Sequence, residues 1–373
     1  MLRFAAMRDT QPSRRQFLAS GAVAAAATAV DAQGRQPVVA VDPAQPAARR
    51  SSGPIRVLTA TAFEAHELEK FKAAAPDIEL IVVKTPDEFR KRLPEAEVVF
   101  GNLTGADLPA ATNVKWVQTG NAGVESLDRE FMASPIALTN MARIFAPAIT
   151  ETAIGMLLGL TRGITIHYMP QFARRQMKSV GTARSAHHVE LAGKTMGIVG
   201  MGGIGSTLAR RAHLGFDMKV VGTDAKPIPK PDHVAELRDP SWFMTMVPQV
   251  DVLVAAAPHT PATERMFNEK VFRSMKKTAY FLALSRGMLF DDMALVRALK
   301  EGWIAGAGLD VFPEEPPPST HPIFDCTNVV MTAHTSGWSP DRQTRLIDLH
   351  SENLRRYAIG APLLNVVDKK AGY

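Results

Sequence analysis

The stretch that decides the fold reads Thr195-Met196-Gly197-Ile198-Val199-Gly200-Met201-Gly202-Gly203-Ile204-Gly205. Its apolar first half predicts a buried strand, and a helix is expected to begin at the glycines and to run over Ile204–Leu214. In such a Gly-x-Gly-x-x-Gly loop the first glycine makes a tight turn, the second admits a pyrophosphate, and the third lets helix and strand approach closely. Backbone N–H groups at the helix N-terminus then face the phosphates. The sequence therefore predicts a dinucleotide site whose cofactor contacts come from Gly200, Gly202, Gly203, Ile204 and Gly205.

An acidic residue at the end of the next predicted strand strengthens this interpretation. Asp224 lies 224 − 205 = 19 residues beyond the last glycine and follows the run Lys219–Thr223. A carboxylate there accepts hydrogen bonds from the adenosine ribose and repels a 2′-phosphate, so NAD(H) is preferred to NADP(H). Lys226 keeps NADP(H) open as the less favoured cofactor, because a nearby cation would partly accommodate that phosphate. The alternative for Asp224 is a solvated turn residue.

Six short apolar runs in this half of the chain each end in a residue that could bind a ligand or do chemistry. The runs are Thr195–Val199, Lys219–Thr223, Asp251–Ala257, Thr278–Leu284, Ile304–Leu309 and Asn328–Ala333, and they end at Gly200, Asp224, Pro258, Arg286, Asp310 and His334. Runs of this kind, separated by helical stretches such as Met293–Glu301, are typical of parallel strands covered on both faces. Ligands bind such sheets at the carboxyl ends of the strands. The six end residues therefore outline one site.

The first half of the chain predicts a second α/β unit. Its expected strands are Ile55–Thr59, Ile78–Val83, Glu97–Phe100 and Val114–Gln118, with a helix over Phe63–Ala73. A long apolar helix, Ala148–Thr161, would cross between the units, an amphipathic helix over Pro340–Arg356 would return, and Pro362–Val367 would form a last strand. We therefore predict two Rossmann- or flavodoxin-like α/β domains with parallel sheets and a cleft between them. A substrate domain would comprise residues 54–149 and 337–365, and a nucleotide-binding domain residues 150–336.

Composition excludes several other classes. The chain has 373 residues, 46% of them hydrophobic, which is enough for two folded domains. Its formal net charge is +6, but the cations are scattered and no basic stripe is present, so nucleic-acid binding is not expected. The single cysteine, Cys326, has no partner for an internal disulfide or at metal-ligand spacing, and no metal site is predicted.

The N-terminus has the features of a twin-arginine export signal. Ser13-Arg14-Arg15-Gln16-Phe17-Leu18 precedes the small-residue apolar run Gly21–Val30 and a cleavage point after Ala32, and residues 33–53 have the composition of a linker. The apolar run is too short to span a bilayer, which takes about 20 residues. We predict export to the bacterial periplasm by the twin-arginine machinery, with NAD(H) already bound because this route carries folded proteins. The alternative is a disordered leader on a cytoplasmic protein.

Three residues together fit hydride transfer to a 2-keto acid. The planar fork of Arg286 suits a substrate carboxylate. The imidazole of His334 could protonate the new alkoxide, and the carboxylate of Glu315 could support it. Taken singly, each has an ordinary structural interpretation, as a surface ion pair, a loop histidine and one acid of a proline-rich loop. Their position beside a dinucleotide loop favours catalysis.

These motifs resemble the D-isomer-specific 2-hydroxyacid dehydrogenase family. The resemblance is carried by Ser285-Arg286-Gly287, Asp310-Val311-Phe312-Pro313-Glu314-Glu315-Pro316 and Thr332-Ala333-His334. It implies Arg286 for substrate binding, Glu315 and His334 as an acid/base pair, Asp310 near the nicotinamide, and Pro258 and Thr260 beside the cofactor. It also implies that backbone N–H groups of Asn121, Ala122 and Gly123 bind the substrate carboxylate, and that the protein is a homodimer.

The expected function is NAD-dependent interconversion of a small D-2-hydroxy acid and its 2-keto acid. The alternative is a non-catalytic NAD(H)-binding sensor or corepressor-like module of the same fold, although the complete Arg286, Glu315 and His334 set argues against it. Arg143, just ahead of the crossing helix, has two interpretations, as a second substrate cation in the cleft or as a surface residue. The identity of the acid and the direction of the reaction stay open at this stage.

Overall fold

The first unit is a parallel sheet with helices on both faces. The computed structural model describes residues 53–178 and 188–373, so the predicted signal at 1–32 and all of the linker except residue 53 lie outside the described residues. The strands are β1 Ile55–Thr59, β2 Ile78–Val82, β3 Val98–Phe100, β4 Trp116–Gln118 and β5 Ala137–Thr139, and the helices are α1 Ala65–Ala74, α2 Pro86–Arg92 and α3 Arg129–Ala133. The strand order is β2-β1-β3-β4-β5, and every ladder is parallel.

A long helix, α4 (Ala146–Thr161), leads from the first sheet to the second. It buries Ala153, Leu157 and Leu160 in the core of the second unit, where it contacts strands of that sheet. A π-helical turn, Ile164–Tyr168, and the short helix α5 (Met169–Ala173) follow it. The predicted crossing helix is therefore confirmed, with an N-terminus two residues earlier than expected.

The second unit is a seven-stranded parallel sheet. Its strands are β6 Thr195–Val199, β7 Lys219–Thr223, β8 Glu236–Arg238, β9 Val252–Ala255, β10 Tyr280–Ala283, β11 Gly306–Leu309 and β12 Val329–Met331, in the order β12-β11-β10-β9-β6-β7-β8. Its helices are α6 Gly203–Phe216, α7 Phe243–Met246, α8 Glu269–Ser274 and α9 Asp292–Lys300. The order reverses between β6 and β9, and this is the switch point where such sheets bind dinucleotides.

The chain returns to the first unit through α10 (Asp341–Ala358), which packs on α1. Tyr357 lies in the same core as Ile55 and Trp116, and Lys70 on α1 forms an ion pair with Asp348 on α10 at 2.7 Å. Short 3₁₀ turns complete the described structure, at Leu93–Glu95, Gly105–Asp107, Pro240–Trp242, Val247–Gln249, Gly287–Leu289 and Pro322–Asp325. None of the helices in the described ranges is both long and apolar enough to cross a membrane.

Two α/β units with parallel sheets are thus confirmed, and all ten predicted strands of the two sheets are present. The domain bounds of 54–149 with 337–365 and of 150–336 stay a prediction. Two edge strands, β5 and β8, were not expected. The strand predicted over Pro362–Val367 is wrong: this segment forms isolated bridges only, among them an antiparallel one between Val366 and Thr139. The Asn353 side chain bonds both the N–H and the carbonyl of Leu364, at 2.7 and 3.1 Å, so these backbone groups are satisfied without a neighbouring strand.

Candidate active site

Three of the predicted residues follow adjacent strands at one edge of the second sheet. Arg286 lies three residues after β10, Asp310 directly after β11, and His334 three residues after β12. The parallel register brings the three strand ends together. The backbone N–H of Asp310 donates to the Ala283 carbonyl at 3.0 Å, and that of His334 donates to the Asp310 carbonyl at 2.8 Å. The expected row of polar residues at the carboxyl edge therefore exists.

His334 and Glu315 form the predicted pair. Nδ1 of His334 lies 2.7 Å from Oε2 of Glu315, and Oε1 of Glu315 accepts a hydrogen bond from the backbone N–H of Phe312 at 2.9 Å. Both side chains are partly exposed, at 45% and 36%. Glu315 is thus fixed at both oxygens, and among the described residues Nε2 of His334 makes no hydrogen bond, so this nitrogen could meet a substrate.

Asp310 holds the loop that carries His334. Its carboxylate is buried and accepts hydrogen bonds from the Thr332 hydroxyl at 2.6 Å, from the backbone N–H groups of Thr335 and Ser336 at 3.1 Å each, and from the Ser336 hydroxyl. His334 lies within this loop in a left-handed backbone conformation, with φ 54°. A contact between Asp310 and a nicotinamide stays a prediction, since the structure gives its carboxylate a positioning role.

The loop of Arg286 contacts the loop of Glu315. A Cβ atom added to Gly287 would collide with the backbone carbonyl of Phe312, so only glycine permits this approach. Nη1 of Arg286 donates to the Ser285 carbonyl at 2.7 Å, which fixes one side of the guanidinium. Phe312 therefore links the loop of Arg286 to Glu315, and Glu315 in turn contacts His334.

Glu125, which the sequence analysis did not identify, contacts the predicted site. Its carboxylate forms an ion pair with Nε of Arg286 and thereby joins the loop after β4 to the loop after β10, across the two units. Burial raises the pKa of Glu125, but the Arg286 hydrogen bond and charge outweigh burial, so the pKa is lowered and the carboxylate stays ionised. The available signal was an acid two residues after Gly123, in the loop already identified for the substrate.

The predicted substrate loop lies against the same guanidinium. A Cβ atom on Gly123 would collide with Nη2 of Arg286. The carbonyls of Asn121 and Ala122 are bonded by the Met141 N–H at 2.9 Å and by the Asn140 side chain at 2.7 Å. Within the described residues, the N–H groups of Ala122 and Gly123 make no hydrogen bond, so they are available to a carboxylate beside Arg286.

The glycine-rich loop fits a dinucleotide. Gly200 has φ 93°, and a Cβ atom there would lie 2.6 Å from the Ala257 backbone; one on Gly205 would collide with the Gly200 carbonyl. By contrast, no described atom lies within 4 Å of the Cβ position of Gly202, so a phosphate could approach this backbone. Gly203, Ile204 and Gly205 form the first turn of α6. Each glycine thus meets the requirement of its position in the motif.

The other cofactor predictions border this loop. Asp224 accepts hydrogen bonds from the Met201 N–H at 2.7 Å and the Lys226 N–H at 2.8 Å, so it also fixes the loop after β6. Pro258 and Thr260 lie in the turn after β9, which Thr263 closes by donating to the Pro258 carbonyl at 2.7 Å and accepting from the Thr260 N–H at 2.8 Å. These positions are compatible with the predicted contacts, which stay predictions.

Comparison with known proteins defines the class. The family model for the D-isomer specific 2-hydroxyacid dehydrogenase NAD binding domain matches residues 154–336, and that for the twin-arginine translocation signal sequence matches residues 11–30. The chain is 34% identical over 248 residues to a glyoxylate reductase of Thermofilum pendens, covering 66% of this chain and 73% of the relative. It is 30% identical over 319 residues to a glyoxylate reductase of Korarchaeum cryptofilum, covering 82% and 91%.

A solved structure of a similar protein has the same fold. An NADPH-dependent glyoxylate/hydroxypyruvate reductase from Sinorhizobium meliloti, in complex with NADP and sulfate, superposes with a TM-score of 0.70 at 25% identity, covering 85% of this chain and 99% of that one. The NAD binding domain and the named relatives support an oxidoreductase that acts on a hydroxy acid and uses a nicotinamide cofactor. The chain belongs to the D-isomer-specific 2-hydroxyacid dehydrogenase family, as predicted, and it carries a twin-arginine signal sequence.

Proposed function

We propose that this protein is an NAD-dependent dehydrogenase that interconverts a small D-2-hydroxy acid and its 2-keto acid. The observation that carries the proposal is the 2.7 Å contact between His334 and Glu315 beside Arg286. A carboxylate bonded to Nδ1 orients the imidazole and stabilises its protonated form, so that Nε2 donates a proton to the substrate oxygen. The names of the two glyoxylate reductases support a small 2-keto acid as substrate.

In the proposed reaction, Arg286 and the backbone N–H groups of Ala122 and Gly123 hold the substrate carboxylate. This clamp directs the substrate carbonyl oxygen toward His334. The nicotinamide, when bound, supplies the hydride. His334 protonates the resulting alkoxide in reduction and accepts the hydroxyl proton in oxidation, while Glu315 keeps the ring in place. Holding both reactive groups in one geometry lowers the entropic part of the barrier.

Glu125 competes with the substrate in this scheme. Its carboxylate occupies Nε of Arg286, the residue to which we assign the substrate carboxylate. Substrate binding would therefore exchange one carboxylate for another at the same guanidinium. The guanidinium has a carboxylate partner both before and after binding, which suits an arginine that is only partly exposed.

We propose NAD(H) as the cofactor, with NADP(H) less favoured. Support comes from Asp224, because a carboxylate at the end of β7 accepts hydrogen bonds from ribose hydroxyls and repels a 2′-phosphate. The Sinorhizobium meliloti relative is NADPH-dependent, so both cofactors belong in the test.

We further propose that the protein acts in the periplasm as a homodimer. The twin-arginine signal supports export. Support for the dimer comes from exposed apolar side chains between α4 and β6, at Met169, Phe172 and Met177, with exposed fractions of 56, 67 and 70%. Apolar surface of this kind is typical of sites where proteins associate.

The test follows oxidation of NADH and NADPH with glyoxylate, hydroxypyruvate and pyruvate. We expect turnover of at least one acid with NADH, and we expect His334→Gln to lower kcat by about 10²–10⁴, as for loss of a general acid. Arg286→Ala should abolish saturation by the acid. The matched controls are His66→Gln and Arg56→Ala, which remove exposed side chains far from the site in sequence. Tight NADH binding without turnover of any acid would instead support the sensor.

A further inference from the structure

Arg143 has a backbone conformation that favours glycine. Its φ is 73°, in the left-handed region that side-chain-bearing residues rarely adopt. The residue stands in the turn that begins α4, where the Ala146 N–H donates to its carbonyl at 3.1 Å. Such strain persists only where surrounding structure supports it, and it concentrates at functional sites.

The side chain of Arg143 lies against the glycine-rich loop. A Cβ atom added to Gly203 would come within 2.7 Å of both Cα and Cγ of Arg143. Position 203 must therefore be glycine for Arg143 to occupy its place. The contact joins the last turn of the chain before α4 to the first turn of α6, where backbone N–H groups face a bound phosphate.

The guanidinium of Arg143 is partly buried and has no partner. Among residues 53–178 and 188–373, no side chain or carbonyl forms a hydrogen bond or ion pair with it. Burial lowers the pKa of Arg143, and no carboxylate offsets this effect. An arginine nevertheless stays charged in proteins, so Arg143 is a partly desolvated cation to which residues 53–178 and 188–373 offer no counter-charge.

The loop itself supplies no such cation. Residues 200–207 contain no lysine or arginine, and the next two arginines, Arg210 and Arg211, lie further along α6. Arg211 is bonded to the Pro147 carbonyl and to Glu151 at the start of α4, at 2.8 and 3.0 Å, and Arg210 influences the pKa of His233. Of these, Arg143 alone is both in contact with the loop and without a partner.

We propose that Arg143 binds the pyrophosphate of the nicotinamide dinucleotide. The guanidinium supplies the charge that the loop lacks, and the anion supplies the counter-charge that Arg143 lacks. Because Arg143 precedes the crossing helix, the bound cofactor contacts both units. This proposal rests on the proposed function because it requires a nicotinamide cofactor. It depends neither on the choice between NAD and NADP nor on the identity of the keto acid.

The test compares Arg143→Met, which removes the charge, with Arg143→Gly, which also relieves the backbone. The Kd of NADH, from fluorescence titration, should rise in both by about tenfold to a hundredfold, as for loss of a charge-assisted hydrogen bond. ADP-ribose, which carries the pyrophosphate without the nicotinamide, should lose affinity by the same factor. Without cofactor, Arg143→Gly should raise Tm, because glycine adopts a positive φ without strain.

The matched control is Arg265→Gly, which replaces an exposed arginine that also has a positive φ, of 46°. It should leave the Kd of NADH unchanged. A Kd within twofold of the wild-type value in Arg143→Met would overturn the assignment. An unchanged Kd with a raised KM for the keto acid at saturating NADH would also overturn it, because the cation would then serve the substrate carboxylate. A wild-type protein that binds neither NADH nor NADPH would overturn the proposed function, and this assignment with it.

Discussion

At the scale of single residues, the pair of Glu125 and Arg286 leads to a prediction about substrate affinity. Glu125→Gln removes the charge that competes for Arg286 while keeping the size of the side chain. We expect KM for the keto acid to fall by about threefold to tenfold, a modest effect because the pair is partly exposed to solvent. The kcat should change less than KM, because His334 and Glu315 are untouched. Steady-state kinetics at saturating NADH measures both.

The control for this variant is Glu69→Gln, which removes the same charge from an exposed position on α1 and should leave KM unchanged. A higher KM in Glu125→Gln would contradict the competition, because it would mean that Glu125 orients Arg286 for the substrate. The lowered pKa of Glu125 keeps the carboxylate ionised, so we expect the difference between variant and wild type to persist over neutral pH.

The residues that could be predicted from sequence are those whose chemical role follows from their own motif, without knowledge of their contacts in the fold. Arg286, Glu315 and His334 stand in motifs, and the structure brings them together. The role of Asp310 as the anchor of the His334 loop could not be predicted, because its four donors come from residues 332–336, which approach it only in the fold. Glu125 is similar, since its partner is 161 residues away.

At the scale of elements, continuous apolar runs identified ten strands, and one edge strand of each sheet escaped. Ala137–Thr139 and Glu236–Arg238 have three residues each, and the second carries two charges, so neither has a readable period. Pro362–Val367, in contrast, was predicted as a strand and forms none. Its apolar side chains are buried against α10 and the first sheet, but its backbone does not pair as a strand. Burial and pairing give the same sequence pattern in segments this short.

Helix α10 contains a group that makes stability depend on pH. His350 is fully buried, with its ring 4.4 Å from that of Phe100, and its Nδ1 donates to the Leu346 carbonyl at 2.8 Å. Burial lowers the pKa of His350 to about 4, although the Leu346 bond and the charge of Glu67 oppose this. Between about pH 6.5 and 4 the unfolded chain therefore binds a proton that the folded chain does not, so stability is lost as pH falls.

Because of His350, we expect the free energy of unfolding to fall by about 3 kcal/mol between pH 6.5 and 4. This value corresponds to a shift of about two and a half pKa units. Urea unfolding at several pH values measures it. The His350→Gln variant should have a lower overall stability and a shallower pH dependence between pH 6.5 and 4, whereas His66→Gln should keep the wild-type slope. Equal slopes in wild type and His350→Gln would show that other groups cause the acid sensitivity.

At the scale of the whole molecule, the cofactor contacts depend on a completed fold. Gly200 and Asp224 directly follow two neighbouring strands of one sheet, and Arg143 comes from the turn that leaves the other unit. An unfolded chain would present none of these groups together. A nicotinamide dinucleotide is therefore expected to bind only after both units have folded, and its binding stabilises the protein by mass action.

This coupling makes a prediction about export. Twin-arginine export carries folded proteins, and nicotinamide cofactors are made inside the cell, so we expect the exported protein to leave with its nucleotide bound. Mass spectrometry of protein purified from the periplasm should detect close to one NAD(H) per chain. The variant Arg14→Lys with Arg15→Lys should keep the protein in the cytoplasm with the same content, while Arg143→Met should be exported with less nucleotide because its affinity is lower. Periplasmic wild-type protein without nucleotide, beside cytoplasmic protein that contains it, would show that the cofactor is lost on the way, and a reductase in that compartment would then need another supply.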